Sequence, residues 1–181
     1  MPTKSDKIEL SEDELREITG YAAECARRAL SIFEESLPAD TRPRDAIDAA
    51  DAFAGGGRRT GALRQSAWAA FRAAQEADSP AAVDAARAAC HAAGAAFLHP
   101  LADAHQVKHI LGAAAHAARA EELASGELAS EEQSVSAGTL EWARRHAPAA
   151  VTVVLGRLPA APPGGGRVGE FIRDLDAALR S

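Results

Sequence analysis

His105, His109 and His116 lie on one segment, LADAHQVKHILGAAAHAARAEELA (Leu101 to Ala124), that is otherwise rich in alanine. On a wheel of 100° per residue the three fall within about 40° of one another. Imidazole titrates near neutrality, so such a stripe has the chemistry to move a proton, hydrogen bond a ligand or hold a metal. His105 and His109 are one turn apart, an HxxxH spacing that lets two imidazoles share an ion. His116 lies seven residues past His109, about 10.5 Å along the axis, and cannot join the same mononuclear site. A third ligand would have to come from another helix, such as His91, Asp84 or Cys90. No HExxH or EExxH pair is present. The metal reading is therefore not adopted, and no cofactor is expected. A blander alternative stays open, in which neutral histidines fill amphipathic positions and hydrogen bond to neighbours.

Val107, Ile110, Leu111, Ala114 and Ala118 form the main apolar face of this helix, and Lys108, Arg119 and Glu122 a narrow polar wedge. The histidines, with Gly112 and Leu123, fall beside the wedge. The stripe is thus expected to border solvent, as one wall of a groove. Gly112 costs about 1 kcal/mol relative to alanine inside a helix, which predicts that another backbone or a ligand comes close there. His91 sits on the preceding helix and His99 at the corner before Pro100. If the two helices pack antiparallel, His91 comes level with His109.

Arg42-Pro43-Arg44 places two guanidinium groups at a helix N-terminus, where a cation is disfavoured by roughly 0.3–1 kcal/mol. Either ion pairs with Asp40, Asp45 or another helix compensate, or the two forks clamp an anion. The candidate catalytic residues are His105, His109 and His91. The candidate ligand-binding residues are Arg42, Arg44, His99 and His116, with the arginines expected opposite the histidines.

The elements that must position these groups read as helices. The capping box Ser11-Glu12-Asp13-Glu14 opens a helix running to Pro38. A second runs from Asp40 to Phe53 and stops at Gly55-Gly56-Gly57. A third starts at Thr60 and carries Leu63, Trp68 and Phe71. A fourth runs from Ser79-Pro80 to about Leu98. The histidine helix runs from Pro100 to Ser125-Gly126. A second capping box, Ser130 to Gln133, opens a sixth helix to about His146. Pro148 opens a short seventh, and Val168 to Leu179 form a closing one. The expected fold is all-α: a single-domain helical bundle of about eight helices over 1–181, with no sheet. Residues 1–9 are expected as a flexible tail and 159–166 as a Pro/Gly loop. Trp68 and Trp142 are expected as core anchors.

Composition limits the function classes. Alanine is about a quarter of the 181 residues and aromatics are 4%, so thin helices must approach closely. The net charge of −6 argues against nucleic-acid binding, which needs a basic surface. No apolar run approaches a membrane span and no secretory leader is seen, so the expectation is a cytoplasmic protein with Cys25 and Cys90 as reduced thiols. Alanine-rich helices also pack well between protomers, which leaves a homodimer open.

The stretches DTRPRDAIDAADAFA, ALRQSAWAAFRAAQEA, ARAACHAAGAAFLHPLADAHQVKHILGAAAHAARA and GGGRVGEFIRDLDAAL resemble the putative immunity protein family of actinobacterial genomes. Some of its members carry a nuclease-subunit label, but nothing here resembles a nuclease. The likeness covers about residues 8 to 180. Arg42, Pro43, Arg44, His91, His105 and His109 match the family pattern. The resemblance implies a helical fold and a role in neutralising a toxin. Two functions follow for testing. One is a small immunity-type binding protein whose acidic surface docks a toxin-like partner. The other is a cofactor-free enzyme or small-molecule binder whose His/Arg groove moves a proton and holds an anion. Whether the chain is an enzyme is left open.

Overall fold

Short hydroxyl side chains cap four of the nine helices among the described residues. Ser11 Oγ accepts from the Glu14 amide at 3.1 Å while Glu14 Oε1 accepts from the Ser11 amide at 2.9 Å, so two otherwise orphaned N–H groups are satisfied reciprocally. Thr60, Ser79 and Ser134 cap later helices through the hydroxyl, which accepts from the amides of Leu63, Ala82 and Ala137. The computed structural model describes residues 6–126 and 134–181. Among them it has nine α-helices: α1 Glu12–Arg27, α2 Leu30–Ser36, α3 Arg42–Ala54, α4 Gly61–Glu76, α5 Pro80–Gly94, α6 Gln106–Ser125, α7 Val135–His146, α8 Ala149–Leu155 and α9 Gly166–Arg180. A 3-10 turn, Ala95–Phe97, follows α5. The fold is all-α, with no sheet among the described residues.

Several boundaries differ from expectation for local reasons. The first helix, expected to run unbroken to Pro38, divides at Ala29 (φ −102°, ψ −3°). Bonds from Ala29 N to Ala26 O and from Ile32 N to Ala29 O tighten the chain there, and α2 buries Leu30 and Phe33 on a new axis. The histidine helix begins at Gln106, not Pro100, because Leu101 is used otherwise. It forms an isolated antiparallel bridge with Lys7, Ile8 N donates to Pro100 O, and Ala102 N donates to Asp6 O. Residues 6–8, inside the expected tail, are thereby tied down. The expected capping box at 130–133 lies outside the described residues. The closing helix starts two residues early, at Gly166, the last of three successive glycines with positive φ, Gly164, Gly165 and Gly166.

The core divides by residue size. Bulky side chains come mainly from α1, α2, α3, α6 and α8, among them Ile18, Phe33, Phe53, Ile110 and Leu155. α5 packs against both α4 and α6, and all eight of its buried residues are alanines. α9 covers α6 by setting Phe171 on Ala115 and Ala118. Trp142 packs at the core edge, under the Arg28 guanidinium at 4.6 Å. Trp68, expected in the core, is instead 57% exposed.

Candidate functional site

α5 and α6 run antiparallel, so residues early on α6 face residues late on α5. His91 is therefore brought level with α6, as its position suggested. Its ring lies 6.3 Å from that of His109 and 5.0 Å from that of His116, the latter pair stacked with 22° between planes. Gly112 makes room for it: a Cβ at that position would lie 2.7 Å from His91 Nδ1. The close approach predicted at Gly112 is thus a neighbouring imidazole. His116 closes the row, with its Nδ1 2.7 Å from Asp84 Oδ1. A carboxylate can only accept, so Nδ1–H is the donor.

The three histidines of the stripe separate. His116 is only 8% exposed, so its place at the solvent edge is corrected. It lies under α5 because the alanines there let the two helices approach closely. His105 is not on the helix face. It is the exposed residue preceding α6, with its amide held by Asp103 Oδ1 at 2.8 Å. The pairing expected between His105 and His109 is made by His91 and His109. Burial, reinforced by the charges of His116, His109, Lys108 and Arg87, holds His91 well below the ordinary imidazole pKa. His109 is lowered too, by burial first and then by Lys108, His99 and His105. Both are neutral near pH 7.

These residues open onto a groove of about 450 Å³. Cys90, His91 and Gly94 of α5 form its floor; Arg64, Ala67, Trp68 and Phe71 of α4 form one wall. Phe97, His99 and His109 form the other side. Trp68 and Phe71 meet edge to face at 6.0 Å, and the Arg64 guanidinium sits 4.5 Å over the Phe97 ring. A second cavity of about 500 Å³ shares Arg64, Phe97 and His99 and adds Arg59, Thr60 and Pro100. Arg59 donates to Ala96 O at 3.1 Å. Burial pushes the Cys90 thiol up to about 11, so it is a neutral group and a weak nucleophile. Cys25, buried elsewhere in the core, is pushed up to about 12, and both cysteines are free thiols.

Arg42 and Arg44 do not face the histidines. Arg42 forks onto Asp40 (2.7 and 2.9 Å) and reaches Glu76 at 2.5 Å. Arg44 grips Glu34 at 2.5 and 2.7 Å. Hydrogen bonding to these arginines lowers the pKa of Asp40 and Glu34. Of the two readings left open, ion pairing is the one realised, and the anion clamp is corrected. The groove's arginine is Arg64, which the sequence reading passed over. Its spacing to Ala67, Trp68 and Phe71 puts all four on one helix face, but nothing in the spacing says that the face is open. Among the described residues, no three His, Cys, Asp or Glu side chains converge to hold a metal ion. No described helix is long and apolar enough to cross a membrane.

A family model described as Imm-5 like putative immunity protein matches residues 9–150. No curated protein and no solved structure matches the chain.

Proposed function

We propose that this chain, which belongs to the Imm-5 like putative immunity protein family, neutralises a toxin-like partner protein by binding it through an acidic surface. The observation that carries the reading is the span of the match, from before α1 to the start of α8. The net charge of −6 supports an encounter with a basic partner, since a charged face steers association and raises its rate. The outer face of α1 suits this role. Glu17 and Glu24 are two turns apart and exposed, and they flank Gly20 and Tyr21 at a cavity of about 290 Å³ that Arg16, itself paired with Glu12, and His146 also line. The proposed location is the cytoplasm, where Cys25 and Cys90 stay reduced.

The test is co-expression with toxin-like proteins encoded by neighbouring genes, scored by cell survival and by recovery of the complex at low and high salt. Protection, with an on-rate falling about tenfold or more as salt rises and with Glu17→Lys/Glu24→Lys, is the expected result. Absence of both complex and protection overturns the reading. A salt-independent complex that the double variant leaves intact removes the acidic surface from it.

The second reading, a small-molecule binder or cofactor-free enzyme, draws support from the groove shared by His91, His99 and His109. Its anion-holding arginine would be Arg64.

A further inference from the structure

We propose that the groove between α4, α5 and α6 is a binding site for a small aromatic carboxylate. The site is independent of the partner-protein reading and stands or falls without it.

The first argument is shape and lining. A volume of about 450 Å³ lies within the roughly 300–1,000 Å³ of small-molecule sites. Trp68, Phe71 and Phe97 line it, and a flat aromatic body packs on aromatic rings in offset or edge-on contact. Trp68, 57% exposed, adjoins Phe71 and Phe97 on the groove, and a contiguous exposed apolar patch of this kind marks ligand-binding grooves.

The second argument is charge. The residues lining the two adjoining cavities include Arg59 and Arg64 and no aspartate or glutamate, in a chain with six more acidic than basic side chains. Most other arginines are held by carboxylates, as Arg16, Arg27, Arg42 and Arg44 are. Among the described residues, Arg59 and Arg64 have no such partner. Arg64 instead rests on Phe97, its fork available for a planar, bidentate acceptor. His91 and His109 add hydrogen-bonding groups without further charge.

The third argument is Gly94. It sits in ordinary right-handed helical geometry (φ −67°, ψ −24°), so the backbone does not require glycine. A Cβ there would meet nothing within 4 Å, so packing does not require it either. In a helix, glycine costs about 1 kcal/mol relative to alanine. Gly94 lines the groove, and its missing side chain leaves that part of the lining clear.

The experiment is calorimetric titration of the full chain with naphthalene-2-carboxylate and indole-3-carboxylate, each beside its neutral carboxamide. Both acids are expected to bind, and the amides at least about tenfold more weakly, because a charge-assisted pair is lost. Arg64→Gln should weaken the acids by a similar factor. Gly94→Leu should abolish binding with a melting temperature no lower than the parent's, because the new side chain fills open space and removes the helix cost of glycine. Arg44→Gln, outside the groove, should leave the affinity unaltered. The proposal is overturned if neither acid binds, if acids and amides bind alike, or if Arg64→Gln and Gly94→Leu both bind as the parent does.

Discussion

The ring of His91 occupies the space that a side chain at position 112 would need: an added Cβ would sit 2.7–3.0 Å from three of its atoms. The ring has little room to yield, since His116 stacks on it and His109 lies beside it. Gly112→Ala is therefore expected to destabilise the fold. Overpacking costs about 1–3 kcal/mol, against roughly 1 kcal/mol gained in helix propensity. Urea unfolding measures the loss, and His91→Ala in the same background should reverse it. A more stable Gly112→Ala single variant would show that the ring moves freely.

Acid should weaken the fold before any carboxylate is protonated. His91 and His109 have pKa values below the ordinary imidazole value of about 6.5, so the unfolded chain binds protons that the folded chain refuses. Stability then falls as pH drops below about 6.5, and continues to fall until the folded-state values are passed. Glu14, Glu34, Asp40 and Glu122 are lowered by hydrogen bonds to arginines, so their contribution is lost only in a later window, below their ordinary range of about 4–4.5. Unfolding free energies at pH 7.5 and 5.5 should differ, and His91→Gln should shrink that difference. A flat profile across this interval would contradict the assignment.

Asp84 should matter through His116. Asp84→Ala leaves a buried Nδ1–H without its acceptor, a loss of about 1–3 kcal/mol. Asp84→Asn keeps an acceptor oxygen and should cost less. Thermal melts of the two variants decide it, and equal losses would mean that packing alone holds the pair.

Gly169 is fixed by backbone. A Cβ there would collide with the Gly164 carbonyl, and that carbonyl is held in place by Arg173 at 2.6 Å. Gly169→Ala should cost roughly 3 kcal/mol, as other overpacked positions do, and α9 should fray first. Hydrogen exchange along 166–180 reads that directly, and unchanged protection there would refute it.

Much of the fold was readable because helices announce their ends locally. Ser11, Thr60 and Ser79 start helices at the positions their spacing with the following amides requires, and Gly126 ends one in left-handed geometry. What was missed depended on distant segments. Leu101 pairs with Lys7, which removes His105 from the wheel that grouped it with His109. His116 looked like an edge residue because the wheel does not say how closely α5 packs. The Arg42–Glu76 and Arg44–Glu34 pairs join residues 34 and 10 positions apart, and the alternative of an anion clamp has the same local signature. Arg64, Trp68 and Phe71 lie beside the buried stripe of α4, formed by Leu63, Ala67, Ala70 and Ala74, and their spacing alone does not say that a groove opens there.

The thinness of α5 separates two kinds of evolutionary constraint. The buried residues of α5 are all alanines and its large group on the α6 side, His91, is seated at Gly112, so the close spacing of α4, α5 and α6 tolerates little enlargement. The groove's character is instead set by Arg64, Trp68 and Phe71 on α4 and by Phe97 and His99 in the connection after α5, none of which is fully buried. If the groove holds a ligand as proposed, substitutions at those positions would change what is recognised while leaving the mould intact. A lineage could thus exchange ligands by drift along one helix face, with little penalty in stability.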